Sequence, residues 1–85
     1  MKTAKVISAG RVTIPNSGRD AMSVITDLPY LVGGEVGTMT GIYVDPACPE
    51  PKTGDAVSWK GGSAWVNGAR WKRLDYEFNP AEPLH

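Results

Sequence analysis

"GDAVSWKGGSAWVNGARWKRL", residues 54–74, holds all three tryptophans of the chain, at Trp59, Trp65 and Trp71, each six residues from the next. Asn67-Gly68 lies between two short apolar-polar runs, the strongest short-range signal for a hairpin closed by a type I′ turn. The loop "KGGS" at 60–63 supplies a second reversal just before it. Pairing outward from these turns sets Trp59 opposite Ala64, Val57 opposite Val66, Val66 opposite Ala69 and Ala64 opposite Trp71. A three-stranded meander results. One face, Val57, Trp59, Ala64, Val66, Ala69 and Trp71, is entirely apolar and is expected in the core. The other face carries Ser58, Trp65, Arg70 and Lys72. Trp65 faces Arg70 directly, a pairing suited to cation–π stacking. A lone large aromatic on this mixed face is either covered by the chain's own N-terminal strand or meets a partner, and the partner contact, with Arg70 and Lys72 beside it, is the one expected.

The rest of the chain reads in the same register. Ten glycines and seven prolines punctuate short alternating runs, the pattern of an all-β domain. "AKVISAGRVTIP" (4–15) reads as an N-terminal strand or strand pair, with Val12 and Ile14 on one face and Gly10 permitting a bulge. "DAMSVITD" (20–27) alternates as a strand, with a short helix starting near Arg19 as the alternative. "EVGTMTGIYVD" (35–45) reads as the longest strand, with Val36, Thr38, Thr40, Ile42 and Val44 on one face; Gly37 and Gly41 on the other suggest close approach of another backbone. "PACPEPKTGD" (46–55) holds three prolines in six positions and reads as an exposed loop. After Lys72 the alternation falters, so either a bulge near Arg73 flips the register or both sides are buried there. The fold expected is a small, partly open β-barrel or sandwich of five to seven strands with a C-terminal three-stranded meander. One domain is expected over residues 1–78, followed by a flexible tail over 79–85 that is disordered or packed on a neighbour.

Composition narrows the functions. Cys48 is the single cysteine, which rules out an intrachain disulfide and a multi-cysteine zinc site. No run of 18 apolar residues would span a membrane, and the first residues lack the apolar stretch of a signal peptide. The net charge is zero, a poor basis for non-specific nucleic-acid binding. The charge is uneven, however. Lys2, Lys5, Arg11 and Arg19 stand against Asp20 at the N-terminus, and five carboxylates stand against Lys52 in residues 21–55. The one histidine, His85, is the last residue, so no buried histidine base is expected. Cys48, in its proline-rich loop with no histidine to activate it, reads as an exposed, inert thiol. Asp75 and Glu77 would point the same way along a strand, but two carboxylates are too few for a cation site and read as solvated charge. "GRVTIPNSG" lacks the Gly-Lys-Ser/Thr ending of a phosphate loop. No catalysis, cofactor or metal is expected.

Two resemblances add partners. Gly37, Gly41, Ile42, Tyr43 and the run Gly54–Trp59, in an order that covers nearly the whole chain, resemble the small β-barrel decoration (cement) proteins of tailed phages. That resemblance implies a non-catalytic virion protein, made in the host cytoplasm, that binds the capsid shell, often as a trimer. Trp65, Arg70 and Lys72 would then face a shell subunit or a sister protomer. More locally, Gly10, Arg11, Val12, Ile14, Pro15 and Arg19, with Met22 in place of a leucine, are similar to the AbrB-type swapped-hairpin transcription factors and antitoxins. This second resemblance implies a dimer that binds DNA through Lys5, Arg11 and Arg19. Gly18 and Ser23 depart from its pattern where its helix should begin. A small SH3-like binding or inhibitor module is the third reading. A strand over 16–26 favours the first and third readings, a helix the second.

Overall fold

The computed structural model describes residues 3–15 and 17–84. They form nine strands: β1 (Ala4–Thr13), β2 (Asp20–Thr26), β3 (Tyr30–Val32), β4 (Glu35–Gly37), β5 (Thr40–Val44), β6 (Ala56–Lys60), β7 (Ser63–Val66), β8 (Ala69–Lys72) and β9 (Glu82–Pro83). No helix occurs among the described residues. All pairings are antiparallel, in a six-stranded sheet of order β5-β2-β1-β6-β7-β8 and a three-stranded sheet of order β4-β3-β9. The two ends of the larger sheet meet only at one bridge, Val44 against Arg73. There the Asp45 N–H donates to the Lys72 carbonyl (3.0 Å) and the Leu74 N–H to the Tyr43 carbonyl (2.8 Å). The result is the all-β, partly open barrel with a C-terminal meander that the glycine and proline punctuation predicts, with more strands than the five to seven expected.

The meander folds in the expected register, residue for residue. Asn67 (φ 50°) and Gly68 (φ 84°) both take the left-handed conformation that a type I′ turn requires. Val57, Trp59, Ala64 and Val66 are buried, and Trp59 is fully so at 0% exposure. They join Val6, Met22, Val24, Ile42 and Val44 in one core. Trp71 packs against that core but is only half-buried, and Ala69 is exposed. Both lie on β8, the last strand of the sheet, where no further strand covers them.

The longest strand is β1, and it serves both halves of the barrel. Its first residues pair with β6 and the remainder with β2. The bend between them is a bulge between Val6 and Ser8, not at Gly10. The chain at 53–55 occupies the bend: Thr53 Oγ1 donates to the Ile7 carbonyl (3.0 Å), the Gly54 N–H to the Val6 carbonyl (2.8 Å), and the Val6 N–H to the Asp55 carbonyl (2.9 Å). Val12 and Ile14, expected on one face, differ in burial: Val12 is exposed on β1, while Ile14, past the end of that strand, is buried. Segment 20–26 is strand throughout.

Residues 35–45 do not form one strand. The chain breaks at Thr38–Met39, sending β4 into the small sheet and β5 into the large one. Thr40, Ile42 and Val44 are buried as expected, but Val36 and Thr38 are exposed. Gly37 is approached not by another backbone but by the Tyr30 ring, with which a Cβ there would collide, and at Gly41 a Cβ would make only ordinary contact with Ile25. Tyr30 is the cross-strand partner of Gly37.

The C-terminal segment corrects the expectation of a flexible tail over 79–85; His85 itself lies outside the described residues. Ala81 and Pro83 are buried, β9 pairs with β3, and the Leu84 N–H donates to the Pro29 carbonyl (3.2 Å). The reason lies at Arg73, where the alternation falters. The strand ends at Lys72, and the Arg73 side chain turns inward. Its Nε and Nη2 donate to the Asp75 carboxylate (3.2 and 3.3 Å), with both side chains at 0% exposure. Nη1 donates to the Gly61 and Ala81 carbonyls (3.1 and 3.0 Å) and Nη2 to that of Asn79 (3.0 Å). The Trp59 indole N–H reaches the same Ala81 carbonyl (3.2 Å). Residues 79–81 are therefore the acceptors that a buried guanidinium needs.

Two outcomes follow for urea unfolding followed by tryptophan emission. Trp59→Ala should cost about 3–5 kcal/mol, much of the total for a domain of this size, while Trp71→Ala, at a half-buried position, should cost clearly less. Asp75→Asn leaves the guanidinium buried without its counter-charge and should cost about 3–5 kcal/mol. A loss below 1 kcal/mol, on that same scale, would mean that the pair is not the anchor.

Candidate protein-binding site

The outward face of the meander is built by cross-strand register. Trp65 on β7 sits between Ser58 on β6 and Arg70 on β8, and Ser63 sits between Lys60 and Lys72. Directly paired residues share a face, so these six positions form one surface with three cations, one indole and no carboxylate. Lys60, Arg70 and Lys72 are exposed and Trp65 is half-buried. The structure thus brings Trp65, Arg70 and Lys72 together as the spacing predicts.

The expected stacking of Arg70 on Trp65 is replaced by a hydrogen-bonded fork. Arg70 Nε and Nη2 both donate to Ser63 Oγ (3.2 and 3.0 Å). A hydroxyl that accepts two N–H groups at once draws the planar guanidinium across to Ser63 on β7, and Arg70 makes no cation–π contact with Trp65. The cation–π contact among the described residues is instead Arg73 over Tyr76, 5.6 Å to the ring centroid. On the core side of the same meander, the Trp71 indole N–H is buried with no hydrogen-bond partner.

Lys5, Arg11 and Arg19 do not form one basic surface. Lys5 and Arg11 stand six residues apart on β1, about 20 Å at the rise of a strand. The Lys5 main-chain N–H donates to Asp27 Oδ1 (2.9 Å), and Arg11 Nη1 donates to the Pro46 carbonyl (2.8 Å). Arg19 instead lines an open hollow with Lys72, Tyr76 and Glu77, near the edge of the Trp65 face.

The loop over 46–55 reverses the expectation for Cys48, which is fully buried. An Asx turn explains it: Asp45 Oδ1 accepts the Ala47 N–H (2.8 Å), and the Asp45 carbonyl accepts the Cys48 N–H (3.0 Å). That turn folds the thiol inward, with Sγ 3.5 Å from the Pro49 carbonyl oxygen. Burial pushes the thiol's pKa up, the Asp45 carboxylate adds to the rise, and Arg11 opposes both. A protonated, enclosed thiol is a poor nucleophile. Asp75 is committed to Arg73 while Glu77 is exposed, so the two carboxylates form no pair. Among the described residues no group of three or more His, Cys, Asp or Glu side chains could hold a metal ion.

Two apolar surfaces escape the sequence reading. Phe78, 59% exposed, joins Ile14, Pro15 and Tyr43 around an open hollow of about 520 Å³. The β3–β4 hairpin carries Leu31 (42% exposed) and Val36 (65% exposed). Its signal is present in the sequence, since Gly33-Gly34 between "YLV" and "EVG" is a two-residue turn, with φ of 58° and 86°. No protein family, curated protein or solved structure matches this chain.

The buried thiol gives a direct check. Cys48 should resist a thiol-specific reagent at pH 8 in the folded protein and react at once in denaturant. Because the folded-state pKa is raised, the native state holds its proton more tightly. Its stabilising contribution is therefore complete below the ordinary thiol pKa and is lost as pH rises past it. Rapid labelling without denaturant would contradict the enclosure.

Proposed function

We propose that the chain is a non-catalytic capsid decoration protein of a tailed phage, acting through protein–protein contacts made by its meander face. The observation that carries this reading is the Trp65 surface: a half-buried indole among exposed Lys60, Arg70 and Lys72, on the face the core does not use. An aromatic anchor ringed by cations suits an acidic protein surface, because the indole supplies buried area and the rim charges supply steering and orientation. The resemblance carried by Gly37, Gly41, Ile42, Tyr43 and Gly54–Trp59 supports the capsid shell as that surface. The strand over residues 20–26 supports the same reading against a swapped-hairpin DNA-binding protein, which needs a helix there. A small SH3-like binding module would use the same barrel and the same indole, so the two readings differ in partner.

The test is composition of particles. Tailed-phage particles produced from the genome that encodes this chain should carry it in many copies on the shell. A Trp65→Ala chain should remain folded, with Trp59 emission unchanged, yet bind shells about 2 kcal/mol more weakly, roughly thirtyfold in affinity. Absence of the chain from such particles would overturn the decoration reading. A Trp65→Ala chain that melts as low as Trp59→Ala, while its folded fraction binds shells as before, would make Trp65 a third core residue instead.

A further inference from the structure

The β3–β4 hairpin presents a second surface, separate from the Trp65 face. β4 lies at the edge of the small sheet. Edge strands of natural proteins are blunted by proline, lysine, a bulge or a covering segment. The opposite edge of this sheet obeys that rule, since β9 is two residues long and ends on Pro83, which has no N–H. β4, Glu35-Val36-Gly37, is also short, at three residues, and carries the charge of Glu35, but it has neither proline nor lysine and its pairing with β3 is regular. Its central residue carries the most exposed large aliphatic side chain among the described residues, Val36 at 65%.

Register determines what the edge offers. Val32 and Glu35 flank the two-residue turn and form its hydrogen-bonded closing pair, so Tyr30 and Gly37 form the next bonded pair. Leu31 and Val36, between them, direct their main-chain groups away from each other. Those of Leu31 point towards β9, where Glu82 is its partner. Those of Val36 point to the open edge. An N–H, a carbonyl and an exposed β-branched side chain therefore coincide at one residue.

We propose that this edge is occupied by β4 of a second copy of the chain, antiparallel, on a two-fold axis through Val36. In that register each Val36 N–H donates to the Val36 carbonyl of the other copy, so the residue is its own complement, as an isologous contact requires. Glu35 falls opposite Gly37 of the second copy both times, so no like charges meet. A chain of zero net charge adds no long-range repulsion between copies. On one face the side chains run Leu31, Val36, Val36 and Leu31 across four strands, covering the aliphatic pair that each copy exposes alone. The contact is small, in the class of weak, transient interfaces below about 1,200 Å², so the dimer forms and dissociates with concentration.

Sedimentation equilibrium of the full chain from micromolar to millimolar concentration tests this. A monomer–dimer equilibrium is expected, weakened about tenfold or more by Val36→Lys, which sets two ammonium groups face to face. Val36→Pro, which removes the donor, should weaken it equally, with Trp59 emission unchanged in both. Register is read by cysteine pairing. A two-fold bonded pair sets its Cα atoms about 5.5 Å apart, within the span of a disulfide, so Val36→Cys should cross-link two copies under mild oxidation and Glu35→Cys should not. A chain that stays monomeric to millimolar concentration, an assembly that closes on three copies, association indifferent to Val36→Pro, or equal cross-linking from position 35 would each overturn the proposal.

Discussion

A guanidinium removed from water must find five acceptors for its five N–H groups, and Arg73 finds all five within the chain. Two are the oxygens of Asp75, and the others are the carbonyls of Gly61, Asn79 and Ala81. Gly61 lies in the β6–β7 turn, Asp75 and Asn79 are the two ends of the turn at 75–79, and Ala81 follows it. One side chain thus ties the meander to the C-terminal segment, while the Arg73 backbone bridges Val44 and joins the two ends of the large sheet. A buried ion pair is weak as a source of net stability, because desolvating both charges costs nearly what their attraction returns. Its effect here is selective: in their observed placement residues 75–83 supply four of the five acceptors.

Around that anchor the fold is a compromise between one long strand and two sheets. β1 spans both halves of the barrel by bulging after Val6, and the bulge is tolerated because Thr53, Gly54 and Asp55 hydrogen-bond the backbone there. The small sheet depends on the anchor indirectly. Ala81 is held by Arg73 and Trp59, which carries Glu82 and Pro83 to β3. The β3–β4 hairpin is thereby supported along one side and left open along the other.

The two faces of the meander are divided by burial. Val57, Trp59, Ala64 and Val66 commit one face to the core. The other carries the half-buried Trp65 and the exposed Lys60, Arg70 and Lys72. Cys48 belongs with the core side of that division, enclosed by an Asx turn rather than displayed on a loop.

What the sequence by itself determined is local and periodic. Asn67-Gly68 dictated the turn, the turn dictated the register, and the register dictated that Trp59 faces inward and Trp65 outward. Period-two alternation cannot count strands or say where one ends. It therefore read 35–45 as a single strand, although Gly37 packs under the Tyr30 ring and the chain parts at Thr38–Met39. Nor can it locate a bulge, because the extra residue at Ile7 is chosen by contacts with residues 53–55, nearly fifty positions away. The tertiary structure alone decided that Arg73 turns inward. Arg73 and Asp75 look in sequence like surface charge, and only the carbonyls of Gly61, Asn79 and Ala81, gathered by the fold, make their burial possible.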